Sequence, residues 1–182
     1  MDCYRRPSAP APAPPVTALP LVIRPEHPDD APAIERLHAR AFGPGRFART
    51  AYRLREGGAP LPDLCLTALV GTYLVGSVRI GPAEAAGGRL LVLGPLTVDP
   101  SFSDRGIGTS LMRASLEAAR AAGHGLVILV GDAPYYARFG FTPVPPGRLT
   151  LPGPVDPARF LWLELFEGAS RGLSGSVKPL RV

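Results

Sequence analysis

Residues 93–112 read LGPLTVDPSFSDRGIGTSLM and give the strongest structural signal in this chain of 182 residues. An apolar run ends in a glycine-containing turn, and an amphipathic pattern typical of a helix begins directly after it. A helix that opens on Gly106-Ile107-Gly108-Thr109 presents several unpaired backbone N–H groups, and the two glycines keep side chains away from them. The stretch therefore predicts a loop that binds phosphate.

The same loop departs from two common nucleotide-binding motifs. Leu111 stands where the dinucleotide pattern G-x-G-x-x-G has its third glycine, and the lysine followed by serine or threonine of a P-loop is missing. We therefore expect a phosphorylated cofactor other than NAD or ATP bound in those ways.

A second stretch reads LVILVGDAPYYARFGF at residues 126–141, with Tyr136 four residues before Gly140. Together with LTVDPSFSDRGIGT, which begins about 30 residues earlier, it resembles the GCN5-related N-acetyltransferase (GNAT) family. The first stretch resembles motif A of that family, and the second resembles the segment with the Tyr-x-x-x-Gly-Phe signature. The resemblance covers residues 20–182, and the part after Gly140 is most similar to an uncharacterised bacterial branch of the family.

This resemblance implies a fold, a cofactor and a reaction. The expected fold is α/β: a mixed, mostly antiparallel sheet flanked by helices, in which the fourth strand (residues 89–98) and the fifth (126–130) splay apart. The expected cofactor is acetyl-CoA. The expected reaction moves an acetyl group from the thioester to a primary amine, by direct attack in a ternary complex.

The resemblance also assigns cofactor-binding residues. The loop would hold the pyrophosphate through its backbone, with a charge-assisted contact from one arginine, and its residues are Ser103, Asp104, Arg105, Gly106, Ile107, Gly108 and Thr109. Ser103 departs from the glutamine or arginine that is usual in the family, which removes one side-chain contact. The backbone of Leu96, Thr97 and Val98 would bind the pantetheine arm.

Two residues are expected to act in catalysis. Gly94-Pro95 interrupts the fourth strand and predicts a bulge, which would free the Leu96 N–H to face the thioester oxygen. The alternative is a kinked core strand. Tyr136 would protonate the leaving thiolate, because a phenol with a pKa near 10 is protonated at neutral pH. The alternative is that the tyrosine pair belongs to the core.

The general base is not evident from the sequence. The fourth strand carries no carboxylate, Glu84 precedes it, and Asp99 follows it in what reads as a turn. His38 lies on the apolar stripe of the first helix, where a core role is the more common one. A base that acts through water is therefore expected, without one dedicated side chain.

The sequence is also compatible with a different function and with a different acyl donor. The missing carboxylate is compatible with a non-catalytic acyl-CoA-binding or regulatory module. The donor could also be a longer acyl-CoA or an acyl carrier protein. The acceptor would be a small-molecule or protein amine.

Composition and sequence pattern indicate which classes of partner and ligand are not expected. The net charge of +5 comes from dispersed arginines without a nucleic-acid recognition motif, so no nucleic-acid partner is expected. No apolar run reaches the length of a membrane span, and the N-terminus lacks a secretory pattern, so we expect a cytoplasmic protein without membrane contact.

Isolated histidines and two cysteines predict no metal site. A homodimer is expected only by analogy with the family.

The pattern along the chain predicts one domain over residues 20–182, preceded by a disordered Ala/Pro-rich tail over residues 1–19. Helix 1 would be capped by Pro28-Asp29-Asp30 and bury Ile34, Leu37, Ala41 and Phe42. The predicted strands and helices follow in chain order: strand 21–24, helix 1, a short helix near 46–56, strands 63–70 and 73–80, a turn at 84–88, strand 89–98, helix 106–122, strand 126–130, helix 133–139 and strand 160–165.

Overall fold

A computed structural model describes residues 20–44, 54 and 60–180. The predicted tail at residues 1–19, and the predicted short helix near 46–56 apart from Leu54, lie outside the described residues. The helices are α1 (Ala31–Phe42), α2 (Ile107–Ala121) and α3 (Ala133–Ala137). The strands are β1 (Leu21–Pro25), β2 (Leu66–Val70), β3 (Tyr73–Ala86), β4 (Gly88–Val98), β5 (Leu126–Val130), β6 (Thr142–Pro143), β7 (Leu149–Thr150), β8 (Phe160–Glu164) and β9 (Ser174–Pro179).

The strands form a mixed sheet in the order β1-β2-β3-β4-β5-β8-β6. Every neighbouring pair in this order is antiparallel except β4 and β5, which are parallel. β9 pairs with the far half of β3 and also with β7. The predicted fold class, a mostly antiparallel sheet flanked by helices, is confirmed.

The parallel strands β4 and β5 separate along their length. Within the described residues they pair only where Leu91 meets Val127 and Val92 meets Ile128. Beyond that point β5 stays paired with β8 as far as Val130, while β4 stays paired with β3 as far as Val98. The predicted splay is confirmed, and we call the space between the diverging ends the cleft.

The two faces of the sheet are covered differently. On one face, α2 buries Ile107, Leu111 and Met112 against apolar side chains of the central strands. On the other face, α1 buries Ile34, Leu37 and His38. The predicted stripe of α1 is partly wrong: Ala41 is exposed and Phe42 is only half-buried, whereas Ile34, Leu37 and His38 are buried as predicted.

Two further local predictions are corrected. Asp30 does not cap α1 with its side chain, because its carboxylate accepts hydrogen bonds from Arg24 and from the His27 backbone. The turn predicted at residues 84–88 is shorter, since β3 continues to Ala86. That extension is paired on both sides, by β4 and by β9, which the small side chains of this segment permit.

Candidate active site

The irregularity at Gly94-Pro95 is a β-bulge. Val78 pairs with Leu96 and Ile80 pairs with Leu93, so the single residue Arg79 on β3 faces both Gly94 and Pro95 on β4. Two residues opposite one is the defining count of a bulge. The predicted bulge is confirmed, and it lies just past the point where β5 leaves β4.

Beyond the bulge, β4 presents backbone groups to the cleft. The Asp99 N–H donates to the Val75 carbonyl at 2.8 Å, so Asp99 faces β3. Because alternate residues of a strand direct their backbone groups to opposite edges, Thr97 faces β3 as well, while Leu96 and Val98 face the cleft. The Thr97 side chain is buried on the α1 side of the sheet. Of the three residues predicted to bind pantetheine, the geometry favours Leu96 and Val98.

A short exposed loop connects β4 to α2. Asp99 caps a 3-10 turn over Pro100–Phe102 by accepting the Ser101 N–H at 3.0 Å. The following residues, Ser103, Asp104, Arg105 and Gly106, are all exposed. The Arg105 guanidinium lies over the Phe102 ring at 5.2 Å, which holds one positive charge beside the loop.

The backbone at the start of α2 is shaped to receive an anion. Asp104 and Gly106 both have positive φ, 59° and 75°, and α2 begins at Ile107 with no side-chain cap. The N–H groups of Ile107, Gly108 and Thr109 belong to the first turn, where a helix leaves its donors without intrahelical partners. A Cβ on Gly106 would meet no atom within 4 Å, so the glycine beside these donors is open on its side-chain face. A phosphate group fits this arrangement.

Tyr136 lies on α3, at the β5 side of the cleft. Its ring packs at 5.8 Å from the Phe141 ring in an edge-on arrangement. Burial raises the pKa of the Tyr136 phenol to about 12, with smaller contributions from Tyr135 and Asp132. The phenol therefore keeps its proton across the physiological range.

The adjacent Tyr135 packs between α3 and the start of α2. Its ring lies edge-on to Tyr136 at 5.0 Å and 5.7 Å from Phe139. Its hydroxyl oxygen reaches Gly108, in the loop predicted to bind the cofactor. The sequence could not predict this contact, because the two residues lie on different elements and only the tertiary fold brings them together.

A buried row of hydroxyl groups crosses the sheet beneath α1. Thr67, Ser77 and Thr97 are register partners on β2, β3 and β4, and the His38 Nε2 lies 3.2 Å from the Ser77 Oγ. In the part of the chain that the structure describes, the hydroxyls of Thr67 and Thr97 have no hydrogen-bond partner. His38 is buried, in agreement with the prediction of a core position. Sequence reasoning missed the row because only strand register aligns it.

The two carboxylates nearest β4 in sequence have other positions or partners. Asp99 is 3% exposed, accepts from the Ser101 N–H and pairs with Arg40 of α1 at 2.9 Å. The prediction of Asp99 as a turn residue is therefore confirmed. Glu84 lies five residues along β3 from Arg79, away from the bulge. Neither residue is placed as a free base beside Leu96.

Among the described residues, no group of three or more histidine, cysteine, aspartate or glutamate side chains is arranged to hold a metal ion. No helix within the described ranges is long and apolar enough to cross a membrane.

Comparison with known proteins gives consistent matches. The model of the acetyltransferase (GNAT) family matches residues 31–141. The uncharacterized N-acetyltransferase YhbS of Escherichia coli K12 is 31% identical over 160 residues, which cover 87% of this chain and 95% of the relative. A second uncharacterized N-acetyltransferase of the same strain, YjhQ, is 33% identical over 118 residues, covering 63% of this chain and 65% of YjhQ.

Solved structures agree with these relatives. The crystal structure of E. coli YhbS in complex with CoA matches with a TM-score of 0.76 and 30% identity, over 90% of this chain and 91% of that one. A GNAT family acetyltransferase from Brucella melitensis in complex with acetyl-CoA matches with a TM-score of 0.57 and 27% identity, over 83% and 98% of the two chains.

Proposed function

Because the chain belongs to the GNAT acetyltransferase family, we propose that it is an acetyl-CoA-dependent N-acetyltransferase that acetylates a primary amine. The amine would attack directly, in a complex that holds donor and acceptor together. Cys65 is not placed to carry the acyl group, because its sulfur is buried against the Ile80 backbone and burial raises the pKa of the thiol to about 11.

One observation carries the proposal: both ends of the cleft match parts of one elongated molecule. At the α2 end, the backbone of residues 104–109 suits a pyrophosphate. Along β4, the backbone groups of Leu96 and Val98 face the cleft and suit the amides of a pantetheine arm. These residues fit coenzyme A, and the two similar proteins of known structure are complexes with CoA and with acetyl-CoA.

Three groups take part in the acetyl transfer, each with its own role. Acetyl-CoA supplies an acetyl group activated as a thioester. The Leu96 N–H donates to the carbonyl oxygen as that oxygen gains negative charge, and one such donor contributes about 3 kcal/mol to lowering the barrier. Tyr136 donates its proton to the sulfur as the C–S bond breaks and the N–C bond forms, and it recovers a proton from solvent.

Removal of the amine proton is assigned to water. An amine with a pKa near 10 must lose a proton before it attacks. Asp99 is occupied by Arg40 and Ser101, and Glu84 lies away from the bulge. Water that carries the proton to solvent satisfies this requirement without a dedicated carboxylate.

A second candidate is a non-catalytic acyl-CoA-binding module. The lack of a carboxylate on β4 favours it, while the buried, protonated Tyr136 favours the enzyme. A longer acyl-CoA or an acyl carrier protein remains an alternative donor. A cytoplasmic location, a homodimer, and the absence of nucleic-acid, membrane and metal partners all stay predictions, as does a single domain over residues 20–182.

Calorimetric titration with CoA tests the binding half of the proposal. Gly106 directly precedes α2 and Gly123 lies two residues beyond its end; both have positive φ, and a Cβ on either would meet no atom within 4 Å. Gly106→Ala and Gly123→Ala therefore impose similar backbone strain, but only the first alters the loop. In Gly106→Ala the free loop would relax out of the strained conformation, and binding would have to restore it at a cost of about 1–2 kcal/mol. We therefore expect Gly106→Ala to weaken CoA binding about tenfold and Gly123→Ala to leave the affinity unchanged. Equal effects would contradict the assignment of the loop.

A further inference from the structure

The Tyr135 hydroxyl limits the space beside Gly108, the second glycine of the loop. A Cβ placed on Gly108 would lie 2.9 Å from the Tyr135 hydroxyl oxygen, closer than real Cβ contacts allow. Gly108 lies inside α2, where alanine is the better helix former by about 1 kcal/mol. The local backbone therefore does not require glycine at this position, but any side chain here would force the Tyr135 hydroxyl to move.

This contact joins the two sides of the cleft. Gly108 belongs to α2, which follows β4, and Tyr135 belongs to α3, which follows β5. β4 and β5 have already diverged at this level, so the phenol reaches across a gap that the sheet no longer closes. The hydroxyl is thus placed to set the distance between the first turn of α2 and the helix that carries Tyr136.

The Tyr135 ring is fixed by its other neighbours. Tyr136 and Phe139 pack against it, and the Arg138 guanidinium lies over its face at 4.7 Å. Burial raises the pKa of the Tyr135 phenol, while hydrogen bonding with the Thr109 side chain opposes that rise. Because the ring is held in this way, a contact at its hydroxyl can hold the start of α2 in place.

We propose that Tyr135 is a positioning residue, whose hydroxyl holds the N–H donors of the first turn of α2 in the place that cofactor binding requires. The inference rests on the proposed function, because it assigns those donors to the cofactor. Deleting the hydroxyl keeps the ring and its packing but removes the spacer. Cofactor binding then weakens, while the chemical step, which depends on Tyr136, changes little.

A double-mutant cycle tests this inference. The variants are Tyr135→Phe, Gly108→Ala and the pair together, each measured for CoA affinity by calorimetry and for thermal unfolding without ligand. Tyr135→Phe should weaken CoA binding about three- to tenfold, the equivalent of one hydrogen bond, and raise KM for the donor with little change in kcat. Gly108→Ala should be more harmful in the wild-type background than in the Tyr135→Phe background, because deleting the oxygen makes room for the methyl group. Tyr73→Phe deletes a hydroxyl from an exposed ring but keeps that ring stacked on Phe102, so it should change neither quantity.

The outcomes separate the two proposals. If the wild-type protein binds CoA but the two substitutions are additive in affinity and in unfolding, Tyr135 does not position the loop and the inference is overturned. The same holds if Tyr135→Phe lowers kcat and leaves CoA affinity unchanged. If the wild-type protein does not bind CoA, the proposed function fails and the cofactor role of Tyr135 fails with it. The unfolding cycle would still report whether the Tyr135–Gly108 contact exists.

Discussion

The Tyr136 ring lies directly against the α-carbon of Gly131: a Cβ on Gly131 would fall 2.1 Å from the ring Cε2. Gly131 directly follows β5, so the end of that strand determines where the ring can lie. Burial is the largest cause of the rise in the pKa of Tyr136. The proposed acid is therefore positioned by a backbone atom, which cannot adjust as a side chain can.

Replacing Gly131 with alanine should displace Tyr136. The methyl group cannot coexist with the ring in its present place, so the ring must move, and the chemical step should slow at least tenfold. Steady-state kinetics would measure kcat, and CoA calorimetry would report any secondary shift of Tyr135, whose ring packs against Tyr136. Gly123→Ala serves as the control. A kcat equal to that of the wild type would mean that the ring position does not matter.

Tyr136→Phe should lower kcat by about 100-fold, since general acids contribute about 10²–10⁴ to rate. CoA affinity should stay within about twofold of the wild type. Tyr73→Phe is the matched control, because it removes the same hydroxyl at an exposed position. Unchanged turnover in Tyr136→Phe would remove the residue from the mechanism.

The pH dependence of the wild type provides an independent test of Tyr136. The folded-state pKa of about 12 lies above the usual value near 10, so the neutral phenol is the favoured form in the folded protein. Its stabilising contribution is complete below pH 10 and is lost as pH rises from 10 to 12. The rate should therefore show no alkaline loss from Tyr136 below pH 10. A loss in the wild type below that pH that disappears in Tyr136→Phe would contradict the assignment.

Much of the site could be predicted because its determinants are local. The glycines and the apolar period of residues 106–122 specify a helix start, and Gly94-Pro95 interrupts a strand pattern, so the loop and the bulge follow from neighbouring residues. β6 and β7 have two residues each, and β9 carries Ser, Gly and Pro, so none of them shows a strand pattern. The Tyr135–Gly108 contact and the Thr67–Ser77–Thr97 row depend on register and packing between separate elements.

Arg40→Ala should destabilise the fold more than Arg36→Ala. The Asp99 side chain is 4% exposed and would lose its ion-pair partner, whereas Arg36 is an exposed arginine of the same helix. We expect a loss of about 1–2 kcal/mol in the free energy of unfolding, below the cost of a fully buried pair because Arg40 is half exposed. Urea unfolding of both variants would measure it. Equal losses would show that the pair does not tie α1 to the end of β4.

Cys65 should be unreactive in the folded protein. The raised pKa means that the folded state favours the neutral thiol, and this contribution is complete below pH 9 and is lost as pH rises towards 11. Iodoacetamide at pH 8, followed by peptide mass spectrometry, should label Cys65 only after unfolding by urea. Labelling at the same rate without urea would contradict the buried position.

Acceptor-dependent release of CoA tests the central claim most directly. Purified protein would be incubated with acetyl-CoA alone and then with a panel of small-molecule and peptide amines, while the free CoA thiol is followed and the acetylated amine is identified by mass spectrometry. The account predicts release and acetylation that require an amine and that Tyr136→Phe reduces about 100-fold. Tight CoA binding with no acetylated product from any amine would contradict the proposed acetyltransferase activity and favour the non-catalytic acyl-CoA-binding module.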